Sequence, residues 1–310
     1  METREMGSGR LRLGVDLGGT KIEIIALAQD GRVLLRRRVA TPHEDYLAIL
    51  LRVADLVGQT ERELGEGASV GIGTPGSISR ATGLLRGSNS VCLNGKPIKA
   101  DFEAALRREV RISNDANCFA LSEARDGAGR GANTVFGAIL GTGVGGGIVV
   151  GGIVLDGRNG IAGEWGHNPL PWATDGERPG PRCFCGRAGC IETFLSGPGL
   201  ERDYFGMTRQ RLSAVEIEAG AAAGNAECEQ AMQRYEQRLA RALAHVINVL
   251  DPDTIVLGGG MSNVQRLYDA VPALWAAWVF SDRVDTSLVR NVHGDSSGVR
   301  GAAWLWPDAG

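Results

Sequence analysis

The chain has 310 residues, 43% hydrophobic and 22% charged, with 33 Lys and Arg against 36 Asp and Glu and a formal charge of −3. That length suits two domains, and the composition excludes disordered, collagen-like and coiled-coil chains. The slight acidity gives no electrostatic footprint for nucleic acid, and no apolar run is long enough to cross a bilayer, so neither partner is expected. Met1–Arg10 is polar and lacks the apolar stretch of a signal peptide. The protein is therefore expected in the cytoplasm, with its fold starting at Leu11. Glycine is the outlier at 46 residues, about 15% where ~7% is usual. The glycines fall in clusters, which implies tight turns and close approach of backbone to ligand.

Taken in chain order, LRLGVDLGGTKIEIIAL predicts two alternating strands joined at Gly18-Gly19, and RVLLRRRVAT a third. The run Arg36–Arg38 reads as a solvated strand face. From Glu44 to Leu64, Tyr46, Ile49, Leu50, Val53 and Leu56 recur at helical spacing. SVGIGTPG reads as a strand entering a turn, DFEAALRREV as a short helix, and VRIS as a strand ending at Asn114-Asp115. A helix is expected from Ala116 to Asp126. TVFGAIL, GTGVGGG and IVVGGIVL repeat the strand–glycine turn–strand layout, which suggests a duplication. Residues 160–198, rich in Gly, Pro and Cys, read as one long functional loop. A long helix from Ala226 to Leu250, the strand TIVLGGG, a helix from about Val264 and a last helix capped by Ser296 or Ser297 complete the chain.

Gly18, Gly19 and Thr20 lie between Asp16 and Lys21. A glycine turn can present backbone N–H groups to phosphate, and a carboxylate beside it suits Mg²⁺; an ordinary hairpin turn is the alternative. Gly141, Thr142 and Gly143 form a second such turn. The G-x-G-x-x-G match there is followed by β-branched residues rather than a helix, which argues against a dinucleotide fold. No Walker pattern exists either, since Gly95-Lys96 precedes Pro97. Gly259 and Gly260, between a strand and a helix, suit close approach of a nucleoside. Cys183, Cys185 and Cys190 with His167 make a closed set of soft donors, as in a structural zinc site. Cys92, Cys118 and Cys228 read as small packing residues, and Trp304 and Trp306 likewise as packing. Asp115, at the end of a strand, is a candidate general base or a helix cap.

DLGGTK, GTGVGGG and GEWGH…CFCGRAGCIE resemble the bacterial sugar kinases of the ROK family (repressors, open reading frames and kinases), from about Leu11 to Pro307. TPGSIS, SNSVCLNG, NDANCFALSEA, GEWGHNPLPW and HGDSSGVRGAAWLWP look closest to its fructokinase branch, which also takes mannose. The resemblance implies an α/β protein of actin-like ATPase (ribonuclease H-like) fold, with two α/β domains around a nucleotide and sugar cleft. A small domain, 11–115, would be completed by a helix at about 295–307; a large one, 116–294, would carry the zinc loop 160–198. The implied activity is phosphorylation of a hexose by ATP and Mg²⁺, giving fructose 6-phosphate in that branch. N-acetylglucosamine kinase and glucokinase are the alternatives within the family, and a non-catalytic sugar-binding protein the alternative outside it. By the same resemblance Asp115 is the base, and Asn89, Asn114, Asp115, Glu164, His167 and Glu192 meet the sugar. Asp16, Gly18, Gly19, Thr20, Lys21, Gly141, Thr142, Gly143, Gly259 and Gly260 meet the nucleotide and its Mg²⁺. His167, Cys183, Cys185 and Cys190 hold a structural zinc, and the protein is a homodimer. Ten residues before Leu11 are too few for the DNA-binding domain of the family's repressors.

Overall fold

The computed structural model describes residues 11–42, 44–88, 90–294 and 297–307; Asn89 and Ser296 lie outside them. In chain order the first elements are β1 (Leu11–Leu17), β2 (Lys21–Leu27), β3 (Val33–Ala40), α1 (Tyr46–Leu64), β4 (Ala68–Thr74), β5 (Ser77–Ile78) and β6 (Leu85–Arg86). Next come α2 (Ile98–Leu106), β7 (Arg111–Asn114), α3 (Asp115–Asp126), β8 (Thr134–Leu140), β9 (Val144–Val150) and β10 (Ile153–Val154). The rest are α4 (Glu192–Leu195), α5 (Gly197–Thr208), α6 (Ala214–Ala222), α7 (Ala226–Leu250), β11 (Thr254–Gly258), α8 (Leu267–Leu274), β12 (Ser287–Arg290) and α9 (Ser297–Ala303). They fall into two compact units. The first runs to Ser122 and adds Asp156–Ile161 and α9; the second takes the remainder.

Each unit has its own five-stranded sheet. The orders are β3-β2-β1-β4-β7 and β10-β9-β8-β11-β12. In both, three antiparallel strands are followed by two parallel ones. The repeated layout legible in the two hairpins thus extends to whole sheets. Parallel neighbours require a crossover, and the helices supply it. Between β3 and β4 that is α1, capped by Asp45 through the Ala48 N–H and ended by Gly65 at φ 70°. Its buried residues Ile49, Leu50, Val53, Leu56 and Val57 join the sheet side chains Leu13, Val15, Ile22 and Ile24 in the first core. In the second unit α7, capped by Asn225, buries Met232, Tyr235, Leu239 and Leu243 with Phe136, Leu140 and Leu257.

The seat of α9 explains several glycines. A Cβ on Gly14 would lie 2.0 Å from the Val299 carbonyl oxygen, and one on Gly71 1.9 Å from that of Ala302. From the helix side, a Cβ on Gly301 would lie 1.6 Å from the Cys118 carbonyl. So α9 rests backbone to backbone on β1, β4 and α3. Beyond it, Arg12 and Arg111 donate to the Trp306 and Leu305 carbonyls, with Arg12 over the Trp304 ring and Arg111 over that of Trp306. The two tryptophans are packing residues.

Several expectations shift. Helix α3 begins at Asp115 rather than Ala116, and the units part inside it after Ser122 rather than at 115/116, because its first turns pack on α9. The last helix ends at Ala303 rather than at about 307, and the first residues expected of it, 295 and 296, lie outside the described residues. Of GTGVGGG, only Gly141–Gly143 turn; Gly145–Gly147 are strand residues, since a Cβ on Gly146 would meet the Gly163 carbonyl at 2.8 Å. Residues 160–198 are not one loop, as they contain α4 and the start of α5. Arg36 and Arg38 do not face only water: both guanidiniums bond the buried Glu23. Cys118 and Cys228 are buried as expected, whereas Cys92 is only partly so.

Gly14→Ala is expected to lower stability by about 3 kcal/mol, because backbone on α9 cannot step aside. Gly206→Ala, in a helix with open space around it, should leave stability unchanged or slightly raised. Urea unfolding of both variants measures the difference.

Candidate active site

The first unit gathers its chemistry at the carboxyl ends of β1, β4 and β7. Cross-strand register places Arg38, Glu23, Asp16, Gly73 and Ser113 in one row. Gly73 and, at the start of α9, Gly298 lie beside the Asp16 carboxylate: a Cβ on either would make ordinary contact with it at 3.8 Å. Among the described residues none donates it a hydrogen bond. Burial, then the like charges of Asp115 and Glu23, push its pKa up to about 6 against the pull of Lys21 and Arg38. A carboxylate so placed lacks a cation, and Mg²⁺ with oxygen ligands fits that lack.

The adjoining turn is tied by the Gly18 N–H to the Lys21 carbonyl (3.0 Å) and by Thr41, whose hydroxyl donates to the Gly18 carbonyl (2.7 Å). Gly19, Thr20 and Lys21 are exposed on it. Asp115 is exposed at the first position of α3. Both its Oδ1 and that of Asn114 accept the Ala116 N–H at 2.8 Å; since the helix starts at Asp115 itself, the capping position falls to Asn114. The Asn114 amide also donates to the Gly76 carbonyl (3.3 Å), fixing the strand–helix junction from which Asp115 projects.

The second unit brings together the 141–143 turn, the cysteine loop and the 258–260 turn. Gly259 has φ 77°, and a Cβ there would lie 2.5 Å from the Leu140 carbonyl, so the two glycine turns pack directly. Thr142, Gly259 and Gly260 are exposed. The segment carrying Glu164 and His167 is anchored by buried Trp165, which donates to the Gly145 carbonyl (2.8 Å) and packs edge-on against Phe136. Glu164 itself is exposed. Glu192 opens α4; one carboxylate oxygen accepts the Val144 N–H at 3.0 Å, and the other lies 3.7 Å from the Cys183 sulfur.

His167, Cys183, Cys185 and Cys190 offer ligand atoms all within 4.8 Å of one another. The Cys183–His167 Nδ1 and Cys185–Cys190 separations are both 3.6 Å. With Zn–S bonds of ~2.3 Å, the edge of a tetrahedron is about 3.8 Å, so the set fits zinc. Burial, then the neighbouring thiols Cys185 and Cys183, hold the Cys190 thiol up at about 12, a state that only a cation would reverse. Nδ1 of His167 faces the Cys183 sulfur. The loop is held at a distance from its ligands by Glu177. Although burial opposes it, hydrogen bonds from Arg241 and Arg238 pull the Glu177 pKa down to about 2. Arg241 also donates to the Trp172 carbonyl (2.6 Å). The acidic anchor escaped sequence reasoning because the two arginines lie more than 60 residues downstream.

The ROK family profile matches residues 12–309. The chain belongs to the ROK family. N-acetyl-D-glucosamine kinases of Yersinia pseudotuberculosis and Vibrio cholerae are 41% and 40% identical over 296 residues, 94% of this chain and 97% and 98% of those proteins. Among solved structures, the ROK hexokinase of Thermus thermophilus aligns with a TM-score of 0.84 at 31% identity, covering 95% of this chain and 97% of that one. The ROK glucokinase of Streptomyces griseus, solved with glucose and AMPPNP, aligns at 0.75 and 28% over 95% and 98%. This ROK protein therefore has the actin-like ATPase fold, and the expectation of a sugar kinase holds at that level. The fructokinase branch gains no support: the relatives at 40–41% are kinases of another sugar.

Zinc-replete protein is expected to hold one zinc per chain, and Cys190→Ser to hold much less, as counted by colorimetric zinc release. For Asp16, the folded state binds its proton more tightly than the unfolded chain. Stability should thus fall as pH rises from about 4 through about 6 and change no further above that. Asp16→Asn should match wild type near pH 4 and be the more stable at pH 7.5 in thermal melts without Mg²⁺ or nucleotide.

Proposed function

We propose that this ROK-family sugar kinase transfers the γ-phosphoryl group of ATP to the 6-hydroxyl of N-acetyl-D-glucosamine, with Asp115 as general base. The observation that carries the sugar is the 41% identity, over nearly the whole of both chains, to N-acetyl-D-glucosamine kinases. The chemistry rests on the site residues. Phosphoryl transfer asks a protein mainly for positioning and for charge placed against the migrating group. The turns at Gly18–Thr20 and Gly141–Gly143 would take the phosphates on backbone N–H groups, with Thr142 and Lys21 adding side-chain donors. Gly259 and Gly260 would lie against the nucleoside. Asp16 would hold Mg²⁺, directly or through its water. Bound there, the ion would offset charge on the β- and γ-phosphates as the bond between them breaks.

Asp115 would accept the proton of the attacking hydroxyl. Its side chain is exposed, and its Oδ1 accepts the Ala116 N–H. A carboxylate of ordinary basicity suffices, because an alcohol acidifies only as its bond to phosphorus forms. Asn89, Asn114, Glu164, His167 and Glu192 would read the sugar hydroxyls, amides donating and accepting and carboxylates accepting. The zinc would carry no chemistry, since four protein donors leave it no open position; it would hold Glu164, His167 and Glu192 in place.

ADP release with Mg-ATP should be fastest on N-acetylglucosamine in a panel with glucose, mannose and fructose. A preference for fructose would restore the fructokinase reading, and no turnover on any sugar with zinc-loaded protein would sink the kinase. Asp115→Asn should lower kcat by roughly 10³-fold, within the range for removal of a general base, while sugar still binds by calorimetry. Turnover near the wild-type rate would remove Asp115 from that role.

A further inference from the structure

Among the described residues, Arg234, Arg238 and Arg241 of α7 share two carboxylates, Asp203 of α5 and Glu177 of the cysteine loop. Arg238 pairs with both at 2.8 Å, Arg234 with Asp203 at 2.6 Å and Arg241 with Glu177 at 2.8 Å. Arg202, next to Asp203 on α5, makes no ion pair among the described residues; its guanidinium donates to the Thr193 carbonyl. Four guanidiniums against two carboxylates leave this cluster two positive charges in excess. Arg202, Arg238, Glu177 and Asp203 line one hollow of about 400 Å³. That size falls within the ~300–1,000 Å³ of small-molecule sites. Gly176 and Gly206 line it too, and a Cβ on either would meet nothing within 4 Å, so its space is open. None of the residues assigned above to the nucleotide, the sugar or the metal lines it.

We propose that this hollow is a second ligand site, which takes a hexose phosphate with its phosphate on Arg202. Charge selects the anion. A phosphate monoester carries about −1.5 to −2 near neutral pH and so answers an excess of two, whereas one carboxylate leaves half of it unanswered. The planar guanidinium fork of Arg202 also matches two phosphate oxygens. Size and acceptors select the rest. The hollow is wider than a phosphate alone needs, and it leaves room for a sugar ring beside the anion. Oδ1 of Asp203 accepts from Arg238 alone among the described residues, so it keeps a lone pair for a hydroxyl, which a sugar brings and a bare phosphate dianion does not.

The test is calorimetry on full-length, zinc-loaded protein with glucose 6-phosphate as the probe. Wild type should bind it, and an excess of MgADP and of N-acetylglucosamine should not displace it. Arg202→Ala should bind the probe roughly tenfold more weakly, the scale of one lost charged hydrogen bond, with MgADP affinity unchanged. If Arg202→Ala does not fold, Gly206→Leu takes its place, since its side chain enters the open space and leaves the arginines intact; it should weaken the probe by a similar factor. Inorganic phosphate and gluconate should each bind more weakly than glucose 6-phosphate. A probe that binds either variant as it binds wild type, or that the added sugar displaces, overturns the site. Gluconate that binds as tightly as the ester overturns the charge match, and inorganic phosphate that does so overturns the sugar ring. The readout is binding, so a protein that turns over no sugar fails as a kinase without touching this site.

Discussion

Backbones in this protein approach one another more closely than a Cβ allows, and the rest of the structure follows from that contact. In the first unit it seats α9 on Gly14 and Gly71 and against α3 at Gly301. In the second it packs the Gly163–Gly166 segment onto β9, where a Cβ on Gly166 would lie 2.1 Å from the Val144 carbonyl, and sets Gly259 against Leu140. The strand ends that carry the candidate chemistry are therefore ringed by main chain rather than side chains. Main chain supplies N–H donors at fixed positions, which is what phosphate recognition needs. The high glycine content is in this sense a property of the site as much as of the turns.

Such seating leaves little room to relieve charge, and the charged groups show it. Asp16 is held beside Asp115 and Glu23 with its pKa raised, a position that stabilises a cation or a proton at the expense of the empty fold. Glu23 is answered by Arg36 and Arg38, so the arginine run on β3 neutralises the row from its far end. In the second unit the cysteine loop is poor in regular structure and gains its rigidity from outside. Arg238 and Arg241 on α7 clamp Glu177, and the Leu170 and Ile191 N–H groups pair its two limbs. The four donors thereby come within 4.8 Å of one another.

The choice of sugar is a different kind of question from the chemistry. The residues proposed for the hydroxyls, Asn114, Glu164, His167 and Glu192, are polar groups that any hexose could satisfy. One extra or displaced substituent is discriminated by what it leaves unpaired or pressed against a wall. That is why motif residues argued well for a sugar kinase and led to fructose, while the relatives similar along nearly the whole chain are N-acetyl-D-glucosamine kinases.

The sequence by itself determined what depends on near neighbours. Both glycine hairpins, the helical stretch up to Leu64 and α7 from Ala226 to Leu250 follow from alternation and helical spacing. The Cys183–Cys190 ligand set follows from donor type within eight residues. Asp115 was legible for the same reason, as an acid at a strand–helix junction. Only the tertiary structure decided what depends on partners distant in the chain. It assigned Gly145–Gly147 to a strand, divided the chain inside α3, buried Glu23 under two arginines and joined Glu192 to both Val144 and Cys183. A turn or a cap is written in a few adjacent residues, whereas a close backbone approach or a buried charge pair exists only once the sheet has brought its members together.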